Sequence, residues 1–133
     1  PTIEADQSRL EQVFINLLLN ARDAIEERWG SRETATADKK IILRTKCRNN
    51  LITCEVCDSG KGVPRALANK IFEPFFTTKE VGKGTGLGLS ISYGIVKDCG
   101  GSIQVAPNIG EGACFILKFP VAGKNNGKNN PTC

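Results

Sequence analysis

The sequence contains no histidine. That absence removes serine–histidine and cysteine–histidine catalysis, and any metal site built on imidazole. No apolar run approaches the roughly 18 residues that cross a membrane, and no signal-like segment leads the chain. The six cysteines follow no regular spacing, which predicts reduced thiols in a cytoplasmic setting rather than a disulfide framework. Neither sign of charge dominates, with 18 Lys and Arg against 14 Asp and Glu. A scattered net charge of +4 leans slightly toward an anionic ligand and makes no case for nucleic acid.

What is present fits one compact domain: 133 residues, 40% hydrophobic and 24% charged. That length buries a sizeable core without staples. Residues 1–5 read as the tail of a strand. A long helix is predicted from about Asp6, a suitable N-cap, to Arg28, because Leu10, Val13, Phe14, Leu17, Leu18, Ala21, Ala24 and Ile25 form one helical stripe. Residues 30–38 read as a mobile loop. Two alternating runs follow, with Ile41, Leu43, Thr45 and Cys47 sharing one face and Ile52, Cys54 and Val56 another, joined by a hairpin turn at Asn49-Asn50. Pro64 opens a short helix through Ile71. A second helix is predicted from about Leu87 to Asp98. Strands over Ser102–Ala106 and Ala113–Phe119 follow. The predicted class is α+β: a two-layer sandwich whose mixed, mostly antiparallel sheet of about five strands is covered on one face by about three helices. The domain should span residues 1–122, with a disordered, low-complexity tail over 123–133.

Cys54 and Cys57 make a C-x-x-C pair. On a strand their side chains leave opposite faces, so a shared metal is not expected and a structural role is.

Three segments carry chemistry. Gln12, Asn16, Asn20 and Asp23 lie along one edge of the first helix's apolar stripe. Amide oxygens are hard ligands that suit Mg²⁺ when phosphates complete its shell, although such side chains also cap backbone groups or face water. Asp58, in DSGKGV, continues the inward parity of Ile52, Cys54 and Val56. A carboxylate there needs hydrogen-bond donors, which adenine's exocyclic amine could supply, and Gly60 and Gly62 leave room for a flat ring. A plain Asp-Gly turn is the alternative. GKGTGLGLS, residues 82–90, is neither a dinucleotide fingerprint nor a P-loop. It is a glycine loop running into a helix N-terminus, an anion site with Lys79 and Lys83 beside it, or else simply a flexible entry into a helix.

Together these segments resemble the nucleotide-binding domain of sensor histidine kinases, in the wider group that also holds gyrase, Hsp90 and mismatch-repair ATPases. RLEQVFINLLLNARDAI is similar to that family's asparagine box, DSGKGV to its first glycine box, IFEPFFTTK to its phenylalanine box, and GKGTGLGLSISYGIV to its second glycine box. The Gly100-Gly101 pair and GEGACF resemble the close. The match runs in order over about residues 4–120.

The resemblance implies a Bergerat-type fold with ATP and Mg²⁺ as cofactors. It implies that Asn20 holds Mg²⁺ with Asn16 beside it, and that Asn16, Asn20 and Lys79 serve catalysis. Asp58 would take the adenine amine, with Ala24, Gly60, Gly62, Val63, Ile71 and Ala113 around the base. Phe72, Phe75 and Phe76 would root a lid carrying Thr77, Thr78 and Lys79. Lys83, Gly84, Thr85, Gly86, Leu87, Gly88 and Leu89 would meet the phosphates. Three residues depart from the pattern: Cys99 stands where many relatives have His, Ala113 where they have Thr or Ser, and Asp23 where some have a phosphate-binding Lys. The implied activity is γ-phosphate transfer to a histidine on a separate dimerisation domain, with a response regulator downstream. An ATPase or an ATP-sensing module of the same fold is the alternative. The ATPases of the group use a Glu four residues before the metal Asn, where this chain has Asn16, which cannot act as a base. Lacking histidine and beginning within a strand, the chain reads as a monomeric piece of a longer protein, one whose full length could carry a membrane anchor.

Overall fold

A computed structural model describes residues 1–30, 38–76, 88–108 and 112–123. Helix α1, Gln7–Trp29, starts where Asp6 accepts a hydrogen bond from the Arg9 N–H at 3.2 Å and stops at Gly30, whose φ is +68°. Its buried residues, Val13, Leu17, Ala21 and Ile25, recur every four residues, as the stripe predicted. Strands β1, Ile41–Arg48, and β2, Leu51–Asp58, form a hairpin. Asn49 and Asn50 both have positive φ, +54° and +61°, as a two-residue I′ turn requires. Single 3₁₀ turns at Arg65–Leu67 and Lys70–Phe72 replace the predicted short helix. Helix α2, Gly88–Asp98, and strands β3, Ser102–Asn108, and β4, Gly112–Pro120, complete the described chain.

The sheet order is β1-β2-β4-β3 and every pairing is antiparallel. The α+β two-layer class stands, but the counts change. Among the described residues there are four strands rather than about five, two α-helices rather than about three, and no parallel pair. Residues 1–5 are not a strand, although the Ala122 N–H donates to the Thr2 carbonyl. One core fills the space between the layers. Val56, Ile103, Val105, Phe115, Leu117 and Phe119 from the sheet meet Val13, Leu17, Ile95 and Val96 from the helices.

Strand β1 lies at the sheet edge, where α1 barely reaches it. Its helix-side Leu43 is therefore 58% exposed, so that apolar face does not join the core. The thiol expectation also changes. Cys57 and Cys114 stand opposite one another in the β2–β4 register, Cα atoms 4.0 Å apart, and form a disulfide. They are 57 positions apart in the chain, so only the register brings them together. Cys54 and Cys99 are free, and burial pushes the Cys54 thiol up, which keeps it protonated. The Cys54 side chain packs on the core while the next pair on the strand, Cys57–Cys114, lies on the other face, so the C-x-x-C residues do part across the sheet.

Candidate functional site

The turn after β2 and the start of α2 both meet α1, the first at Ala24 and the second at Asn16, about two turns apart. Asp58 is the last residue of β2, opposite Ala113 of β4, and only 7% of it is exposed. Its Oδ1 accepts the Gly60 N–H at 2.8 Å. Burial pushes its pKa up, and backbone N–H groups of Gly60 and Ala113 pull it partly back. An ionised carboxylate offers about four lone-pair positions, so the Gly60 N–H leaves capacity for a further donor.

The turn after Asp58 lies against α1. A Cβ on Gly60 would come within 2.5–2.7 Å of the Ala24 backbone and side chain, so only glycine fits there. The close approach at Gly60 is thus to α1 within the chain itself. The Lys61 N–H donates to the Ala24 carbonyl at 3.1 Å. Gly62 is buried with φ +78°, and Val63 packs on the core. On β4, a Cβ on Gly112 would lie 1.7 Å from the Asp58 carbonyl oxygen, and Ala113 beside it is 4% exposed on the core face.

Along α1 the two asparagines have different surroundings. Asn16 Oδ1 accepts from Gln12 Nε2 at 2.8 Å, and Asn16 Nδ2 donates to the Gly88 carbonyl and to Ser92 Oγ, both at 3.2 Å. Ser92, fully buried, also donates to the Gly88 carbonyl at 2.9 Å. Asn16 therefore ties α1 to the first turn of α2. Asn20, one turn on and half-buried, has no side-chain hydrogen bond among the described residues.

Several expected site residues serve the core. Ile71 is buried, Phe72 meets Phe115 edge-on at 6.3 Å and Tyr93 at 5.7 Å, and Leu89 packs against the core. Phe76 packs there too, whereas Phe75, with φ +66°, is 73% exposed. Thr77, Thr78, Lys79, Lys83, Gly84, Thr85, Gly86 and Leu87 lie outside the described residues. Sequence reasoning missed Arg28, Trp29, Ser92 and the tight fit at Gly112. A serine on the apolar face of α2 was the one available signal for Ser92.

The model of the "Histidine kinase-, DNA gyrase B-, and HSP90-like ATPase" family matches residues 5–123. The chain belongs to that family. Members similar to it include the Sensor kinase CckA of Brucella abortus (strain 2308), 46% identical over 123 residues covering 89% of the chain and 13% of that protein. The Two-component sensor PprA of Pseudomonas aeruginosa is 48% identical over 121 residues, 90% of the chain and 12% of that protein. The chain thus spans about an eighth of the length of these relatives. Among solved structures of the family, the nucleotide-free catalytic domain of histidine kinase ThkA superposes with a TM-score of 0.70 at 39% identity, covering 89% of the chain and 70% of that domain. Full-length ShkA, crystallised in complex with AMPPNP, superposes with a TM-score of 0.73 at 30% identity, over 90% of the chain and 23% of ShkA. Among the described residues no helix of this family member is long and apolar enough to cross a membrane.

Proposed function

We propose that this domain binds Mg²⁺-ATP and hands the γ-phosphate to a histidine on a separate dimerisation domain, in two-component signalling that ends on a response regulator. The observation that carries the reading is Asp58: a buried carboxylate at the end of a central strand, held by the Gly60 N–H, with acceptor capacity to spare. Adenine's exocyclic amine is a donor of the right kind. The kinship with sensor kinases supports the same ligand.

The donor set fits Mg²⁺ at Asn20, whose half-buried amide has no partner among the described residues and whose oxygen is a hard ligand. Bound there with the phosphates, the ion would neutralise charge on the transferring group. Asn16 acts beside it by holding the start of α2 against α1, so that Gly88 faces the same end of the site. In this reading Lys79, Lys83 and the amides from Gly84 to Gly88 take the phosphates.

The ATPase alternative needs a base near the metal. Asn16 is an amide already engaged at both ends, and the two nearby carboxylates are paired, Asp23 with Arg22 and Glu27 with Lys61. This favours transfer over hydrolysis. The chain has no histidine of its own, so the acceptor must be supplied. Mixing it with γ-labelled ATP and a histidine-bearing dimerisation domain from a sensor-kinase relative should label that histidine. Release of free phosphate without labelled protein would support the ATPase instead, and ATP binding with neither outcome would support a sensing module.

A further inference from the structure

The last turn of α1 grips the turn that follows Asp58. Trp29 Nε1 donates to the Ser59 carbonyl at 2.9 Å. Arg28 Nη1 donates to the same oxygen at 3.0 Å and to the Gly60 carbonyl at 3.3 Å. The Arg28 guanidinium also lies over the Trp29 ring, 4.4 Å from its centroid, so each side chain fixes the other.

The Ser59 carbonyl and the Gly60 N–H belong to one peptide unit. That unit is trans and planar, so its C=O and N–H point in opposite directions along one line. Holding the oxygen therefore aims the N–H. The N–H so aimed is the one that donates to Asp58 Oδ1 at 2.8 Å. Two donors on the carbonyl also polarise the peptide and strengthen the bond its N–H makes. The order of action is Arg28 and Trp29, then the Ser59–Gly60 peptide, then the Asp58 carboxylate.

We propose that Arg28 and Trp29 are positioning residues for nucleobase selection, setting the orientation of Asp58 through the Ser59–Gly60 peptide. The inference rests on the reading that Asp58 takes the exocyclic amine of adenine. Neither residue touches the base. Their effect appears as discrimination between a base with an amine and a base with a carbonyl at the same ring position. It goes beyond capping the helix, which would affect stability alike for every ligand.

The test uses the 133-residue chain with ADP and IDP, whose bases carry an amine and a carbonyl at that ring position and differ besides only in the proton the carbonyl form holds on N1. Calorimetry gives the affinity ratio of the two. Trp29→Phe keeps an aromatic ring beside the guanidinium and removes the pyrrole half of the indole with its N–H. Arg28→Lys keeps the charge and removes the forked geometry. Each should lower the ADP:IDP ratio roughly threefold to tenfold, the loss of part of one supported hydrogen bond. In an Asp58→Asn background neither should lower it further. Equal loss of ADP and IDP binding in both variants, with the ratio intact, overturns the proposal and leaves a structural cap. Should Trp29→Phe fail to fold, as its thermal melt would reveal, Arg28→Lys decides alone. Asp58→Asn separates the two levels. If it leaves the ratio unchanged, the base reading itself fails. If it collapses the ratio while the Arg28 and Trp29 variants do not, only the positioning role fails.

Discussion

Between residues 12 and 20, the polar edge of α1 meets its surroundings through side-chain amides. Between residues 24 and 30 it meets them through a backbone carbonyl, an indole N–H and a guanidinium. At the first stretch Asn16 bridges to α2 while Asn20 keeps its amide without a described partner. At the second, Ala24, Arg28 and Trp29 all engage residues 59–61, and the fit at Gly60 leaves no room for a methyl group. The Asp58 end of the proposed site is thus braced by the protein itself, and the Asn20 end keeps ligand capacity. A substitution where backbone packs on backbone, at Gly60 or Gly112, should act on folding first; one at Asn20 should act on the ligand first.

The largest expected break lies at the braced end. Gly60→Ala puts a methyl group 2.5 Å from the Ala24 backbone carbonyl carbon, and Gly112→Ala puts one 1.7 Å from the Asp58 oxygen at a φ of +101°. Backbone has to move in both, which should cost about 3 kcal/mol of stability. Thermal melts of the two variants should fall by on the order of 10 °C. Unchanged melting would mean that α1 and the turn can part freely, and the contrast between the ends would vanish.

Next in size is Asp58→Asn. Loss of a charged acceptor should weaken ATP binding by about 1.5–3 kcal/mol, roughly tenfold to a hundredfold, and GTP should be bound poorly by the unmodified chain. Wild-type affinity for GTP equal to that for ATP would remove Asp58 from base recognition.

The amides sharpen the comparison within the open end. Asn20→Ala should leave the melt nearly unchanged and weaken Mg²⁺-ATP binding far more than binding of metal-free nucleotide. Asn16→Ala should cost stability by about 1 kcal/mol, since two hydrogen bonds between helices go, although Ser92 still satisfies the Gly88 carbonyl. Titrations with and without Mg²⁺, set beside melts of both variants, separate these effects. A metal-independent loss at Asn20 would rule out ligation there.

The sequence was most readable where one residue type answers to one local demand. The α1 stripe, the Asp6 cap, the Asn49-Asn50 turn and the inward parity of Asp58 all depend on neighbours a few positions away, and all stand in the structure. What it hid depends on register or on distant backbone. Whether β1's apolar face is covered depends on where α1 lies over the sheet. The Cys57–Cys114 bond depends on strand pairing across 57 positions. Gly60 looked like room for a ring because a glycine's empty side can face a ligand or the protein's own helix, and nothing local tells which. Arg28 and Trp29 lay just past the apolar stripe, where they read as an ordinary helix end.

The smallest expected effect is one of pH, and it sets folding against binding at a single residue. Burial raises the Asp58 pKa above the ordinary aspartate value, against the pull of the Gly60 and Ala113 N–H groups. In the unfolded chain Asp58 ionises at the ordinary value; in the fold it does so only at higher pH. Its contribution to stability is therefore fully present below the ordinary value and is lost as pH rises through the folded one. Binding runs the other way. The adenine amine is a donor and prefers the ionised carboxylate, so bound nucleotide lowers the pKa again, and affinity falls as pH drops through the raised value of the free protein. Acidification across the window between these values should firm the free fold, as far as Asp58 governs it, while weakening ATP binding. Asp58→Asn should flatten both limbs together, leaving only what the other groups and the nucleotide itself contribute. Melts and calorimetry over that window, in wild type and Asp58→Asn, check it. A binding limb that persists unchanged in the variant would place the titrating group elsewhere, and would take from the braced end of α1 the carboxylate it is proposed to aim.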